Sequence, residues 1–281
     1  MSEFHEGEIA VQTQARVRNE AESLSHVINN FIQPKAQEFL RDRRIAIAST
    51  IDTRGRCWAS LLTGKPGFIE IVSETEIAIS PLTATLTPVA EHLAQNQNIG
   101  LLTIDFAKRR RLRLNGIATL QPTRQIKVQT QQVFFNCPKY ITKRDFESTI
   151  KERSSLNRSI SNSLNPHQQN WITQADTFFI ASYHPEKGAD ASHRGGDPGF
   201  IRIMNSNRLI FPDYTGNNLF QTFGNLTVNP RASLLFIDFD RGHTLQLTGM
   251  AEILWRSELL AEFADAKRLV KFEIEKVVET G

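Results

Sequence analysis

Arginines, side-chain amides and a Ser-His pair gather in one stretch, Asp190 to Gly249, and their types suit a planar, phosphorylated ligand. Guanidinium and amide groups donate to phosphate oxygens, and an amide offers both donor and acceptor to a ring edge. The opening, ASHRGGDPGFIRI (Ala191 to Ile203), supplies Ser192, His193, Arg194 and Arg202. The polar run PDYTGNN adds Pro212, Asp213, Tyr214, Asn217 and Asn218, and Gln246 lies within Thr244 to Gly249. Hydrolase chemistry from Ser192, His193 and a distant Asp is a poor fit, because neighbours on a strand point to opposite faces. Gly195-Gly196 precedes no helix, so it is not a dinucleotide fingerprint. His5 with Glu6 has no further ligand at metal spacing and reads as a surface pair. Cys57 and Cys137 are too few for a disulfide framework or a zinc site.

These groups need a β scaffold. A strand ends at His193-Arg194, breaks at Gly195-Gly196, turns at Asp197-Pro198-Gly199 and resumes at Phe200 to Ile203. Further strands fall at Arg208 to Phe211, Ser233 to Phe239 and Thr244 to Gly249. The same succession occurs 132 residues earlier. Pro34 opens a helix as Pro166 does, and Ile45 to Ala48 matches Phe178 to Ala181. Pro66-Gly67-Phe68-Ile69 matches Pro198-Gly199-Phe200-Ile201, LLTIDF (101–106) matches LLFIDF (234–239), and Ile126 to Val128 matches Val270 to Phe272. The expected fold is mainly β (α+β): a tandem duplication of a six-stranded split barrel with short flanking helices. Expected units are an N-terminal helical segment (1–33, with a helix over Ala21 to Ile32), a first barrel (34–136), a linker (137–163) and a second barrel (164–281). An extra helix is expected around Glu258 to Ala266. The linker reads as mobile over Ser154 to Asn165, and Lys139, Tyr140 and Arg144 either reach a neighbouring site or start a helix on the first barrel.

The two copies act as an internal control. Core residues match, but Arg194 faces Leu62, Arg202 faces Glu70, Asn217-Asn218 faces Thr85-Leu86, and Gln246 faces Arg113. An anionic ligand therefore favours the second copy. The basic run Lys108 to Arg113 reads as a hairpin loop entering a strand, since Leu112 and Leu114 alternate with arginines.

The order ASxR, hairpin, FPDYTGNN, NPRASLLFIDF and LQLTG resembles the pyridoxamine 5′-phosphate oxidase-like, FMN-binding split-barrel superfamily, in its flavin-nucleotide-binding branch with SHRGGDPGF. The resemblance implies FMN as cofactor, with Arg194 near its phosphate and Arg202 where relatives often carry lysine. It places the Pro212-Asp213 turn against the flavin, Asn217 and Asn218 where relatives use Ser-Arg-Lys, and Gln246 at the ring. In single-barrel relatives flavin lies between two paired subunits, so two arrangements are open here. In the favoured one the two copies pair internally, with a homodimer of whole chains beyond that; in the other, second barrels pair between chains and the first barrels lie outside. The implied activity is a flavin-dependent oxidoreductase with a small-molecule electron donor or acceptor. The alternatives are a flavin- or haem-related binding or storage module without turnover, and a structural protein whose sites have decayed. No catalytic residue is assigned. The oxidase's C-terminal Trp and Arg-His segment has no counterpart in RLVKFEIEKVVETG.

With 40% hydrophobic and 22% charged residues and a net charge of +3, the 281-residue chain has an ordinary globular balance. That charge calls for neither nucleic acid nor membrane, and no apolar run approaches the ~20 residues of a span. The N-terminus does not read as a signal peptide, and a cytoplasmic location with free thiols is expected.

Overall fold

The computed structural model describes residues 4–146 and 157–281, with backbone alone at Thr83, Ala84, Thr85 and Thr87. The first half contains α1 (Glu6–Gln14), α2 (Arg18–Ser23), α3 (Pro34–Arg41), β1 (Ile45–Ile51), β2 (Cys57–Thr63), β3 (Ile69–Ser73), β4 (Glu76–Ile79), α4 (Thr83–Leu93), β5 (Asn98–Asp105), β6 (Arg110–Leu120) and β7 (Ile126–Phe135). The second contains β8 (Arg158–Ser161), α5 (Pro166–Gln174), β9 (Thr177–His184), β10 (Gly188–Gly195), β11 (Arg202–Asn205), β12 (Arg208–Asp213), α6 (Gln221–Val228), β13 (Arg231–Ile237), β14 (Thr244–Leu254) and β15 (Arg268–Thr280).

The strand order β2-β1-β5-β6-β7-β4-β3 recurs as β10-β9-β13-β14-β15-β12-β11, every pairing antiparallel. The duplication is therefore one of topology as well as sequence. Each sheet has seven strands on this path, one more than the six expected.

Every residue of β1 and β2 is buried. The reason lies in the strand alternation: Ala46 and Ala48 face the first barrel's core, whereas Ile45 and Ile47 join a cluster shared with Phe179, Ala181, Ala191 and Leu235 of the second. Phe178 and Ile180 likewise fill the second barrel's own core. Burial on both faces is why these strands read as unbroken apolar runs. The barrels thus pair within one chain. Their backbones approach closely at Gly100, where a Cβ would lie 2.6 Å from the Asp190 Cα.

Three expected segments differ. Over Ala21 to Ile32 only α2 and a 3-10 turn (Ser25–Val27) are helical. Asn29 instead exchanges both backbone hydrogen bonds with Val133, since the edge of β7 needs a partner there. The 137–163 segment contains β8, which pairs with residues 277–280 of β15, beyond the reach of β12 on that edge. The rest of the expected mobile stretch that precedes residue 157 lies outside the described residues. Past Trp255, the helical part is a 3-10 turn, Glu258–Glu262. No helix among the described residues is long and apolar enough to cross a membrane.

Candidate functional site

A cleft opens where the two barrels meet. The first barrel contributes Arg111 and Arg113 of β6 and the segment Asn136 to Tyr140 after β7. The second contributes the end of β10, the end of β12, the loop that follows it and the first turn of α6. Ser192, His193, Arg194, Pro212, Asp213, Tyr214, Asn217 and Asn218 all line this cleft. The ends of β10 and β12 meet there, with Arg194 Nη1 2.9 Å from Asp213 Oδ1.

Two expected site residues lie elsewhere. Arg202 is on β11, an edge strand, where it pairs with Glu262 and stacks over Phe263 at 5.0 Å. Gln246 sits in the joint, donating from Nε2 to the Ala59 carbonyl at 2.7 Å and to Ser60 Oγ at 3.1 Å. The displacement has a geometric cause. Gln246 and Arg113 hold matching positions in the two copies, and each crosses to the opposite barrel, Arg113 reaching Ser192 just as Gln246 reaches Ser60. Gln246 therefore faces β2 of the first barrel, at the place that matches the cleft. There Leu61 and Leu62, which match His193 and Arg194, are buried in apolar clusters.

The sequence reading missed Arg111 and Arg113 as cleft residues, and strand alternation signals only which face they take. Leu112 and Leu114 point into the first barrel's core, so the alternating arginines must leave it on the face turned to the second barrel. Arg113 Nη1 lies 3.0 Å from Asp190 Oδ1 and donates to Gln221 Oε1 at 3.0 Å, and its Nη2 donates to Ser192 Oγ. Thr222 Oγ1 continues the network to Ser192 Oγ at 2.8 Å. Arg111 donates from Nη1 to His193 Nδ1 at 2.6 Å. Burial, reinforced by Arg113 and Arg194, lowers the Arg111 guanidinium to about 10. Burial, with Arg111 and Arg194 adding to it, pushes the His193 imidazole well below its usual 6.5. The ring is therefore neutral, and accepting at Nδ1 fixes its proton on Nε2.

Arg194 Nη1 donates to Asp213 Oδ1 at 2.9 Å, and Arg268 Nε lies 3.3 Å from the other oxygen. Burial raises the Asp213 carboxyl, and the two arginines oppose that rise. Phe223 lies under the Arg194 guanidinium at 4.9 Å. Of the linker residues, Lys139 and Tyr140 reach the cleft, whereas Arg144 pairs with Asp176 at 2.6 Å. Tyr140 stacks on Tyr214 with 5.3 Å between centroids and donates its hydroxyl to the Thr215 carbonyl. The loop carries left-handed backbone at Asn218 and Phe220, and no side chain caps α6. Five buried polar atoms of cleft residues have no partner: His193 Nε2, Gln221 Nε2, the Nε atoms of Arg113 and Arg194, and Asn136 Oδ1. Four of the five are donors, so the site fits an acceptor-rich group.

His5 and Glu6 are joined by His184, a partner the sequence reading missed; the rings lie 4.5 Å apart and Glu6 Oε1 is 2.9 Å from His184 Nε2. Both Nδ1 atoms accept backbone N–H groups, from Gly7 and from Glu186 and Lys187. Each proton then sits on Nε2, which donates to Asn225 or Glu6. No imidazole lone pair is left for a metal.

A family model described as pyridoxamine 5′-phosphate oxidase matches residues 32–156 and again residues 164–279. The chain belongs to the pyridoxamine 5′-phosphate oxidase family. Its membership is doubled, one match per barrel. Solved structures similar to this family member include HupZ of Group A Streptococcus, at 14% identity, 41% coverage of this chain, 98% of that one and a TM-score of 0.34. Others are the haem storage protein HutZ from Vibrio cholerae (16% identity, 41% and 92% coverage, TM-score 0.31) and an FAD-binding protein from Mesorhizobium loti (12%, 44% and 99%, 0.31). No curated protein matches the chain.

Proposed function

We propose that the chain binds FMN in the cleft between its barrels and uses it for electron or hydride transfer. The observation that carries this reading is the set of unpartnered buried donors on a cleft built from both copies of an oxidase-family fold. A flavin's pyrimidine edge and phosphate are acceptor-rich, and its ring suits walls made by Phe200, Phe220, Phe223 and the Tyr140–Tyr214 stack. Bound FMN would supply the redox chemistry. Within this reading, Asn217, Asn218 and Gln221 offer amide donors, Arg194 is held in place by Asp213, and the tyrosine pair limits water access. Pairing of whole chains into a homodimer is a separate inference, tested by light scattering.

Titrating the protein with FMN and following flavin fluorescence tests binding, and identifying any chromophore that co-purifies tests the cofactor's identity. Bleaching of the flavin absorbance by NAD(P)H distinguishes an oxidoreductase from a carrier without turnover. Absence of saturable FMN binding would refute the reading.

A further inference from the structure

The guanidinium groups on the cleft differ in one respect. Arg113 is already paired with Asp190, and Arg194 with Asp213. Arg111 has no carboxylate partner among the described residues, and the group it touches, His193, is a neutral acceptor. Arg113 and Arg194 both push against its charge. A half-buried cation left uncompensated in this way is costly unless an anion completes it. The surrounding balance points the same way. Arg111 and Lys139 face the cleft without a carboxylate partner among the described residues, while Arg113 with Asp190 and Arg194 with Asp213 cancel. A phosphate monoester, with about 1.5–2 negative charges at neutral pH, matches that excess.

We propose that Arg111, contributed by the first barrel, receives the phosphate group of the bound ligand, with His193 as a positioning residue that holds the guanidinium through Nδ1. The anion site then spans both copies, although the copies taken singly place every phosphate-type donor in the second. The phosphate could belong to the flavin nucleotide or to a separate phosphorylated small molecule. The first form rests on the function proposed above; the second does not.

The test uses the full chain, as wild type, Arg111→Gln and Arg111→Lys, with inorganic phosphate, FMN and riboflavin as probes. Inorganic phosphate is expected to raise the wild-type melting temperature saturably, beyond any effect of sulfate-free salt at equal ionic strength. That rise should vanish in Arg111→Gln and persist in part in Arg111→Lys. If the anion is the flavin's own phosphate, Arg111→Gln weakens FMN about 10- to 100-fold, the loss of a charge-assisted hydrogen bond, and leaves riboflavin affinity unchanged. If FMN affinity is unchanged while the phosphate response is lost, the proposal stands with a separate phosphorylated ligand. An Arg111-dependent phosphate response without FMN binding would sink the flavin reading and keep this one. A phosphate response equal in wild type and Arg111→Gln, or none in wild type, overturns it. Should Arg111→Gln fail to fold, phosphate protection of Arg111 from phenylglyoxal in wild type, read by peptide mapping, gives the same decision.

Discussion

Replacing Arg113 by leucine removes the cation from a pair that joins the barrels. The Arg113 and Asp190 side chains are only 5% and 3% exposed, with Nη1 and Oδ1 3.0 Å apart. The substitution strands a carboxylate among Asn115, Ser192 and Thr222, with Glu8 close by, and also leaves Gln221 Oε1 without its donor. Breaking a buried pair from one side costs roughly 3–5 kcal/mol, because the remaining charge is uncompensated. Arg113→Leu is therefore expected to lose about that much stability at pH 7 in urea unfolding followed by circular dichroism. Adding Asp190→Asn removes the stranded charge while keeping a hydrogen-bonding side chain, so the double variant should recover about 2 kcal/mol. A loss under about 1 kcal/mol, or no recovery on adding Asp190→Asn, would show that this pair does not hold the joint together.

Gln246→Ala should cost about 1–2 kcal/mol through its two lost hydrogen bonds without changing ligand affinity, since Gln246 lies in the joint and not on the cleft. Equal stability with weaker FMN binding would reverse that assignment. Gly100→Val should destabilise by roughly 1–3 kcal/mol, because its Cβ meets backbone of the other barrel, whereas Gly216→Ala, with nothing within 4 Å, should stay within about 0.5 kcal/mol in the same unfolding assay. Two groups at α1 give opposite pH limbs. Burial, with His184 adding to it, lowers His5 to about 4, so its contribution is present above 6.5 and lost as pH falls through 4. Burial raises Glu8 to about 8, so its contribution is present below its usual 4.5 and lost as pH rises through 8. Glu8→Gln should therefore flatten the alkaline limb of a urea-midpoint profile and leave the acid limb, and an unchanged alkaline limb would refute the assignment.

The fold could be read because it depends on patterns repeated along the chain. The apolar runs at Ile45 and Phe178, the matched Pro-Gly turns and the twin LLxIDF strands carry the duplication, and both barrels keep one strand order. Helix α6 was not legible: QTFGNLTV contains a glycine and β-branched residues, and it is helical because six of its eight residues are buried. That glycine is required by packing, since a Cβ on Gly224 would lie 2.4 Å from the Glu8 side chain of α1. The half of the cleft carried by one continuous stretch, from Ser192 to Asn218, could also be read. The other half could not, because it depends on which strand of one barrel faces which strand of the other. Residue types alone put Gln246 where Arg113 stands.

The joint between the barrels has a consequence for how such a cleft can specialise. Two separate identical subunits would carry every substitution in both of their grooves, and dilution would pull them apart. A tether makes the association intramolecular, with an effective local concentration of order millimolar for a short linker, so the cleft stays assembled however scarce the protein is. Covalent linkage also frees the two grooves from each other. Arg194 can stand on one side of the pair while Leu62 stands at the matching place on the other, which a symmetric dimer could never encode.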